Sequence, residues 1–305
     1  MRAAALLALA GAALLTGCGA GDAIRAQAQD PGALLGGAPA AEAAATPDAA
    51  APGEPPAPAA AAAAPAEAAA RIPRTLRPDI GPDSPARVLV IGDSLSQGFG
   101  ALLTRKAAGR GLNLRVLERG RVSTGLARSD FYDWPVAFAD LAAAERPDIV
   151  VAHFGSNDMQ TIIRPDGRAR FGGPDWEDAY RAQIRRILDV AVRRRAQLWW
   201  IGPAPDRGRN LNRHLARINP LFEEEAEAVG AIYFPLDVFA GPDFAFLRAI
   251  PVDGRSRTVR SPDGSHFTGF GYGLVADMLL DDITARFPVL DPRGPGGEAL
   301  AFNLQ

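Results

Sequence analysis

The sequence predicts a single α/β domain, residues 86–290, in which helices cover both faces of a parallel β-sheet. Short apolar runs rich in branched residues, typical of buried strands, alternate along the chain with longer segments of helical periodicity. Glycine or polar residues follow most of these runs, as expected where a strand ends and a loop begins. Such regular alternation is typical of βαβ units joined by right-handed crossovers.

The five predicted strands are short. The first contains four consecutive apolar residues, from Val88 to Ile91, and stops at Gly92, after which Asp93 or Ser94 can cap a helix. The second alternates apolar and polar residues, whereas the third is apolar almost throughout and is expected to be buried on both faces. In chain order, the predicted strands are 87–92, 112–117, 148–154, 197–202 and 231–236.

Helical segments connect these strands. The first helix is closed by Gly109 and Gly111, and the fourth is ended by Gly230, a residue that helices often use to terminate. The third has its large apolar side chains on one face, which is the pattern of a helix packed against a sheet. In chain order, the predicted helices are 97–110, 134–145, 174–195, 211–229 and 269–286.

Composition excludes several classes of function. The chain has 305 residues and a formal net charge of −2, without a concentrated basic face, so nucleic acid is not an expected partner. Cys18 is the only cysteine, and therefore no intrachain disulfide can form. Cysteine and histidine residues also do not cluster at metal-ligand spacing.

Residues 1–18 have the features of a secretory signal peptide. A positive charge at Arg2 precedes an Ala/Leu run that is too short to span a bilayer. The run ends in Leu15-Thr16-Gly17-Cys18, which resembles the lipobox of bacterial lipoproteins. That resemblance implies cleavage before Cys18, lipidation of Cys18 and attachment of an exported, periplasmic protein to a membrane. The alternative is a plain signal peptide that is cleaved nearby.

Residues 19–85 are dominated by alanine, proline and glycine. Nothing in this stretch repeats an apolar face, and its prolines interrupt any helix that alanine favours. We therefore expect a disordered tether that holds the folded domain away from a membrane surface. Residues 291–305 are interpreted as a C-terminal tail.

Four stretches are rich in residue types that can take part in catalysis. The first contains Ser94, and the others are 120–126, 155–158 and 261–267. Three follow a predicted strand and the last precedes the final helix. Because loops at the carboxyl edge of a parallel sheet converge on one crevice, a hydroxyl, an amide, glycine N–H groups and an Asp/His pair are expected to meet there. Acyl transfer requires these groups as nucleophile, base, orienting acid and oxyanion donors.

The histidine residues identify the candidate base. His153 lies within an apolar strand and is interpreted as structural, and His214 lies in an Arg/Asn-rich helix and is interpreted as a solvated surface residue. His266 follows a tight turn, and Asp263 lies three residues before it. At that spacing the carboxylate can hold one imidazole nitrogen and leave the other for Ser94.

Taken in order, these stretches resemble the four blocks of the SGNH (GDSL-type) hydrolase family. The blocks are Gly92-Asp93-Ser94-Leu95, a glycine in the second stretch, Gly155-Ser156-Asn157-Asp158 and Asp263-Gly264-Ser265-His266. The resemblance covers residues 87–287, and the segment 123–135 is similar to a periplasmic subgroup of that family, DUF459. It implies a flavodoxin-like, three-layer α/β/α sandwich built on a five-stranded parallel sheet.

The resemblance also implies roles for the site residues. Ser94 would be the nucleophile, His266 the base and Asp263 the residue that orients the imidazole. No metal or cofactor is implied.

The oxyanion hole implied by the resemblance has three donors. They are the Ser94 backbone N–H, a glycine N–H of the second block and the Asn157 side chain, which follows a buried strand directly. The second block departs from the commoner family pattern. Gly125 is favoured over Gly120 as the glycine donor.

The expected function is that of an exported serine esterase that hydrolyses an acyl ester, such as an O-acetyl ester of peptidoglycan or another envelope glycan. Three alternatives remain open at this point: an O-acyltransferase, a lysophospholipase or thioesterase, and a non-catalytic module that binds glycan or protein. Phe131, Tyr132 and Trp134 can line an acyl groove or stack on sugars, and the loops 166–175 and 241–260 are expected to border the pocket.

Overall fold

The computed structural model describes residues 71–294. The expected signal peptide, Cys18, residues 19–70 of the expected tether and residues 295–305 of the expected tail lie outside the described residues. Within the described part of the chain, no helix combines the length and apolar character needed to cross a bilayer.

A five-stranded parallel sheet forms the centre of the domain. Its strands are β1 (Ala86–Gly92), β2 (Leu114–Glu118), β3 (Ile149–His153), β6 (Gln197–Ile201) and β7 (Ile232–Phe234). They lie in the order β2-β1-β3-β6-β7. Strand β1 therefore pairs with β2 on one side and with β3 on the other. Because β1 is an interior strand, backbone hydrogen bonds hold the segment before Ser94 on both sides.

Six further short strands form three two-stranded hairpins outside the main sheet. They are β4 (Ile162–Arg164), β5 (Gly167–Ala169), β8 (Ala240–Gly241), β9 (Ala245–Phe246), β10 (Ala249–Val252) and β11 (Arg255–Thr258). None of them was predicted from the sequence, because strands of two to four residues with little apolar alternation leave only a weak pattern. Strand β5 lies in the loop 166–175, and β9, β10 and β11 lie in the loop 241–260, the two loops expected to border the pocket.

Five helices cover the sheet. They are α1 (Ser94–Gly109), α2 (Trp134–Glu145), α3 (Trp176–Arg194), α4 (Arg209–Ala228) and α5 (Gly269–Arg286). Side chains alternate between the two faces of each strand. The cluster on one face includes Leu89 and Phe138 of α2, and the cluster on the other includes Val90 and Phe99 of α1. The three-layer α/β/α fold predicted from the sequence is confirmed.

Helix capping accounts for the helix boundaries. Asp93 accepts a hydrogen bond from the Leu95 N–H at 2.9 Å and so begins α1 at Ser94, three residues earlier than expected. Asp133 and Thr268 cap α2 and α5 in the same way, and both helices have the predicted bounds.

The packed chain begins before the expected domain boundary. Ile72 is buried, and its N–H donates to the Val229 carbonyl at 2.9 Å. Arg77 forms an ion pair with Asp148 at 3.0 Å. Residues 71–85, which we expected in the tether, therefore pack against the domain. The sequence pattern missed this because isolated side chains, rather than a periodic face, make these contacts.

Candidate active site

Gly92 places Ser94 at the carboxyl end of the interior strand β1. Its φ is +134°, and a Cβ at this position would lie 1.9 Å from the carbonyl oxygen of His153. Glycine alone therefore allows the chain to turn here, close to β3. Ser94 follows as the first residue of α1 and is partly exposed.

Ser94, His266 and Asp263 form a hydrogen-bonded series. The Nε2 atom of His266 lies 2.9 Å from the Ser94 Oγ, and its Nδ1 atom lies 2.7 Å from the Asp263 Oδ2. The other oxygen of Asp263 accepts the backbone N–H groups of Ser265 and His266. The structure thus brings the three predicted side chains together, and the imidazole faces the serine.

The pKa of Asp263 favours a charged carboxylate. Burial raises this pKa, but hydrogen bonds from the His266 ring and from two backbone N–H groups outweigh burial and lower it. Because the charged Asp263 carboxylate contacts the His266 Nδ1 through its Oδ2, it favours the tautomer with the proton on Nδ1. The Nε2 atom is then an acceptor for the Ser94 hydroxyl proton, as general-base activation requires.

The two candidate glycines differ in whether their N–H groups are free. The Gly120 N–H donates to the Glu118 carboxylate, so it is already engaged. The N–H groups of Gly125 and Ser94 have no acceptor within residues 71–294. Gly125 therefore fits the role of a donor better than Gly120.

Asn157 lies beside Gly125. Its Nδ2 atom donates to the carbonyl oxygen of Thr124 at 2.9 Å. Because an amide nitrogen carries two hydrogens, this bond orients the side chain and leaves one donor available.

The comparisons with known proteins identify the family. A family model described as "Protein of unknown function (DUF459)" matches residues 87–282. The chain belongs to the DUF459 family. No match was found among curated proteins.

Several solved structures resemble this DUF459 protein at low identity. A carbohydrate acetylesterase family member from Sinorhizobium meliloti is 18% identical, with a TM-score of 0.48 and coverage of 67% of this chain and 99% of the other. An acetyl xylan esterase is 16% identical, with a TM-score of 0.48 and coverage of 65% and 99%. The M. smegmatis aryl esterase is 12% identical, with a TM-score of 0.45 and coverage of 66% and 100%.

In this DUF459 protein, a buried arginine supports the loop that carries His266. The Nη2 atom of Arg260 donates to the carbonyl oxygen of Ser265 at 2.7 Å, and its guanidinium lies 4.4 Å from the centre of the Phe267 ring. Burial lowers the pKa of Arg260 to about 10, so it remains charged at neutral pH. The Ser265 hydroxyl donates to the buried carboxylate of Asp206. Sequence reasoning missed both supports because each depends on contacts of the folded chain.

Asp158 joins the second and third blocks. Its carboxylate accepts the Ala127 N–H at 2.8 Å and the Tyr180 hydroxyl at 2.7 Å. A Cβ on Gly125 would lie 2.2 Å from the Asp158 Oδ1. Asp158 therefore holds the Gly125 loop at a fixed distance from Asn157. In the sequence, Asp158 is marked only by its position directly after Asn157, which by itself indicates no role.

Complete burial dominates the pKa of Asp158. Desolvation disfavours the carboxylate and raises the pKa to about 6, although the hydrogen bonds from Ala127 and Tyr180 oppose this. The carboxyl group is thus charged at neutral pH and titrates within a range accessible to experiment.

The other two histidines are both buried. His153 lies 3.2 Å from Asp93 through its Nδ1 atom, in keeping with a structural role. His214 was expected at the surface, and this expectation is wrong because the rings of Phe171 and Trp176 cover it. Burial lowers the pKa of His214 to about 4, although a hydrogen bond with the Gly155 backbone acts to raise it.

The three aromatic residues near the second block differ in exposure, and the Tyr132 ring is partly buried, edge-on to Trp134 at 5.0 Å. Trp134 is fully buried and its indole N–H donates to the Thr124 hydroxyl at 2.8 Å, so it belongs to the core. Phe131 is 62% exposed.

Within residues 71–294, no group of three or more His, Cys, Asp or Glu residues could hold a metal ion.

Proposed function

We propose that this protein is an exported serine esterase of the SGNH type that hydrolyses an acyl ester. The observation that carries the proposal is the hydrogen-bonded series from the Ser94 Oγ through His266 to Asp263, with distances of 2.9 and 2.7 Å. The series lies at the carboxyl edge of the parallel sheet, where open α/β proteins bind their ligands.

The proposed reaction has two steps. In the first, the Ser94 oxygen attacks the ester carbonyl carbon while its proton passes to the His266 Nε2. Collapse of the tetrahedral intermediate breaks the ester C–O bond, and His266 returns the proton to the departing alcohol. In the second, His266 takes a proton from water, the hydroxide attacks the acyl-serine, and Ser94 leaves with that proton.

Negative charge develops on the carbonyl oxygen in both steps. The free backbone N–H groups of Ser94 and Gly125 and the second Asn157 amide hydrogen are the proposed donors to this oxygen. The partial positive charge at the start of α1 acts in the same direction. Asp263 stabilises the imidazolium that forms.

The decisive experiment compares variants on 4-nitrophenyl acetate. Ser94→Ala is expected to lower kcat by at least about a thousandfold, because the remaining groups cannot form the acyl-enzyme. Ser84→Ala, just before β1 at the end of that strand opposite Ser94, is the matched control and is expected to retain activity. A fluorophosphonate probe should label wild type and the control but not Ser94→Ala. Full activity of Ser94→Ala would refute the proposal, and failure of the folded wild type to react with the probe would favour a binding module.

We further propose an O-acetyl ester of an envelope glycan as the substrate and a lipid anchor at Cys18 as the link to the membrane. Support comes from the signal-like residues 1–18 and the Ala/Pro-rich stretch that follows them. Acetate release from acetylated cell-wall fragments, compared with hydrolysis of long-chain acyl esters, tests the substrate. Preference for long acyl chains would instead favour a lysophospholipase or thioesterase, and acetate transfer to added glycan would favour an acyltransferase. Loss of lipid labelling in Cys18→Ala tests the anchor.

A further inference from the structure

A cavity of about 860 Å³ is lined in part by Gln160, whose side chain contacts the backbone of Asn157. Three segments form its wall: the second-block loop, the residues that follow β3, and the β4–β5 hairpin with the residues after it. Most of the side chains that line it are polar or charged, and they include Arg128, Asp130, Gln160, Thr161, Arg168 and Arg170.

Hydrogen bonds connect this cavity to the candidate active site. The Nε2 atom of Gln160 donates to the carbonyl oxygen of Asn157 at 2.7 Å. The Oε1 atom of the same side chain accepts a bond from the Arg128 Nη1 at 3.2 Å. One residue of the cavity wall is thus in direct contact with the backbone of a proposed oxyanion donor. A substrate with its ester at Ser94 is expected to extend into this space.

Among the described residues, Asp130 is the one carboxylate in the cavity wall, and its charge is neutralised. Asp130 accepts two hydrogen bonds from Arg128, from Nε at 2.7 Å and from Nη2 at 2.8 Å. The bidentate pair cancels both charges and leaves the remaining arginines to determine the sign of the local potential.

Arg168 and Arg170 supply that positive potential. Both are exposed, and neither forms an ion pair in the part of the chain that the structure describes. Arg164 of the same hairpin differs, because it forms ion pairs with the nearby carboxylates of Asp166 and Asp175. The cavity therefore carries a net charge of about +2, although the whole chain is slightly acidic.

The chemistry of the wall defines the ligand. Guanidinium groups bind carboxylate and phosphate oxygens with matched pairs of hydrogen bonds. The ring of Phe171, which is 39% exposed, adds an apolar surface at the same cavity, and such a ring can pack against the face of a sugar. A neutral acetylated glycan would leave the two arginines without a partner.

We propose that this cavity is a subsite for an anionic group, a carboxylate or a phosphate, on the molecule that carries the scissile ester. The inference rests on the proposed function because Ser94 is taken to cleave that ester. The proposed subsite narrows the substrate class to esters that also carry an anionic group. That group would lie on the Asn157 side of Ser94.

Direct binding to the full-length protein tests the subsite without any catalytic step. The probes are trigalacturonate, its uncharged triamide, and a trimer of glycerol phosphate, each titrated by calorimetry at low ionic strength. We expect at least one anionic probe to bind about tenfold more tightly than the triamide, and added salt to weaken that preference. Preference for trigalacturonate would indicate a carboxylate, and preference for the phosphate trimer would indicate a phosphate.

The double variant Arg168→Gln/Arg170→Gln is expected to lose this preference. Arg115→Gln, at an exposed position in strand β2, removes one positive charge elsewhere and is expected to keep it. Unfolding curves of both variants separate lost binding from lost folding. Equal affinity for charged and neutral probes, or a preference that persists in a folded double variant, would overturn the subsite. An active Ser94→Ala would refute the esterase instead, so the two failures are distinguishable.

Discussion

The buried carboxyl group of Asp158 makes the stability of the fold depend on pH in a specific direction. Its pKa is about 6 in the folded chain and 3.8 in a solvated carboxyl group. This difference of about two units corresponds to about 3 kcal/mol between the protonated and the charged form. Because the folded pKa is the higher one, ionisation is easier in the unfolded chain.

The sign of the effect follows from proton linkage. Below the unfolded pKa both states hold the proton, and the stabilisation associated with Asp158 is fully present. As the pH rises through the folded pKa, the folded chain must hold a charged carboxylate in a buried position, and that stabilisation is lost. The unfolding free energy of wild type, measured relative to Asp158→Asn, is therefore expected to fall by about 2 kcal/mol between about pH 4.5 and pH 7.

Urea unfolding of wild type and Asp158→Asn at several pH values provides the measurement. Asp140→Asn, at an exposed position on α2, is the matched control and should show no comparable pH dependence relative to wild type. A constant difference between wild type and Asp158→Asn would contradict the reasoning. So would a gain in the relative stability of wild type with rising pH, because it would mean that the bonds from Ala127 and Tyr180 outweigh burial.

Two further predictions concern residues that position the site. Gly125→Ala would place a Cβ 2.2 Å from the Asp158 Oδ1, so we expect an unfolding free energy lower by about 1–3 kcal/mol together with reduced kcat. Asp158→Ala in the same chain should relieve part of this loss, and strictly additive losses would contradict a steric origin. Arg260→Met removes the bond to the Ser265 carbonyl oxygen, and misplacement of His266 is expected to lower kcat by about tenfold or more with a smaller change in KM. Activity equal to wild type in a folded Arg260→Met would show that the His266 loop holds its conformation without the arginine.

The accuracy of the sequence predictions differed between parts of the chain for identifiable reasons. Helices α2 and α5 had the predicted bounds because Asp133 and Thr268, their capping residues, act locally. The burial of His214 was missed because the aromatic residues that cover it, Phe171 just before α3 and Trp176 at its start, lie about forty positions earlier along the chain. The three hairpins were missed because their strands are too short to show a period.

The sequence by itself determined the local features of this protein. Apolar runs and capping residues defined the order of strands and helices, Gly92 marked the turn before Ser94, and the spacing of Asp263 and His266 allowed their contact within one turn. Each feature depends on residues a few positions apart, whose geometry is restricted by the backbone.

Only the tertiary structure decided which distant groups meet. Ser94 and His266 are 172 positions apart, and their contact results from packing α1 and α5 against the same face of the sheet. The engagement of the Gly120 N–H by Glu118 and the shared cavity of Arg168, Arg170 and Gln160 are likewise properties of the folded chain. Such contacts arise from many small packing contributions summed over the whole domain, so no short segment of sequence specifies them.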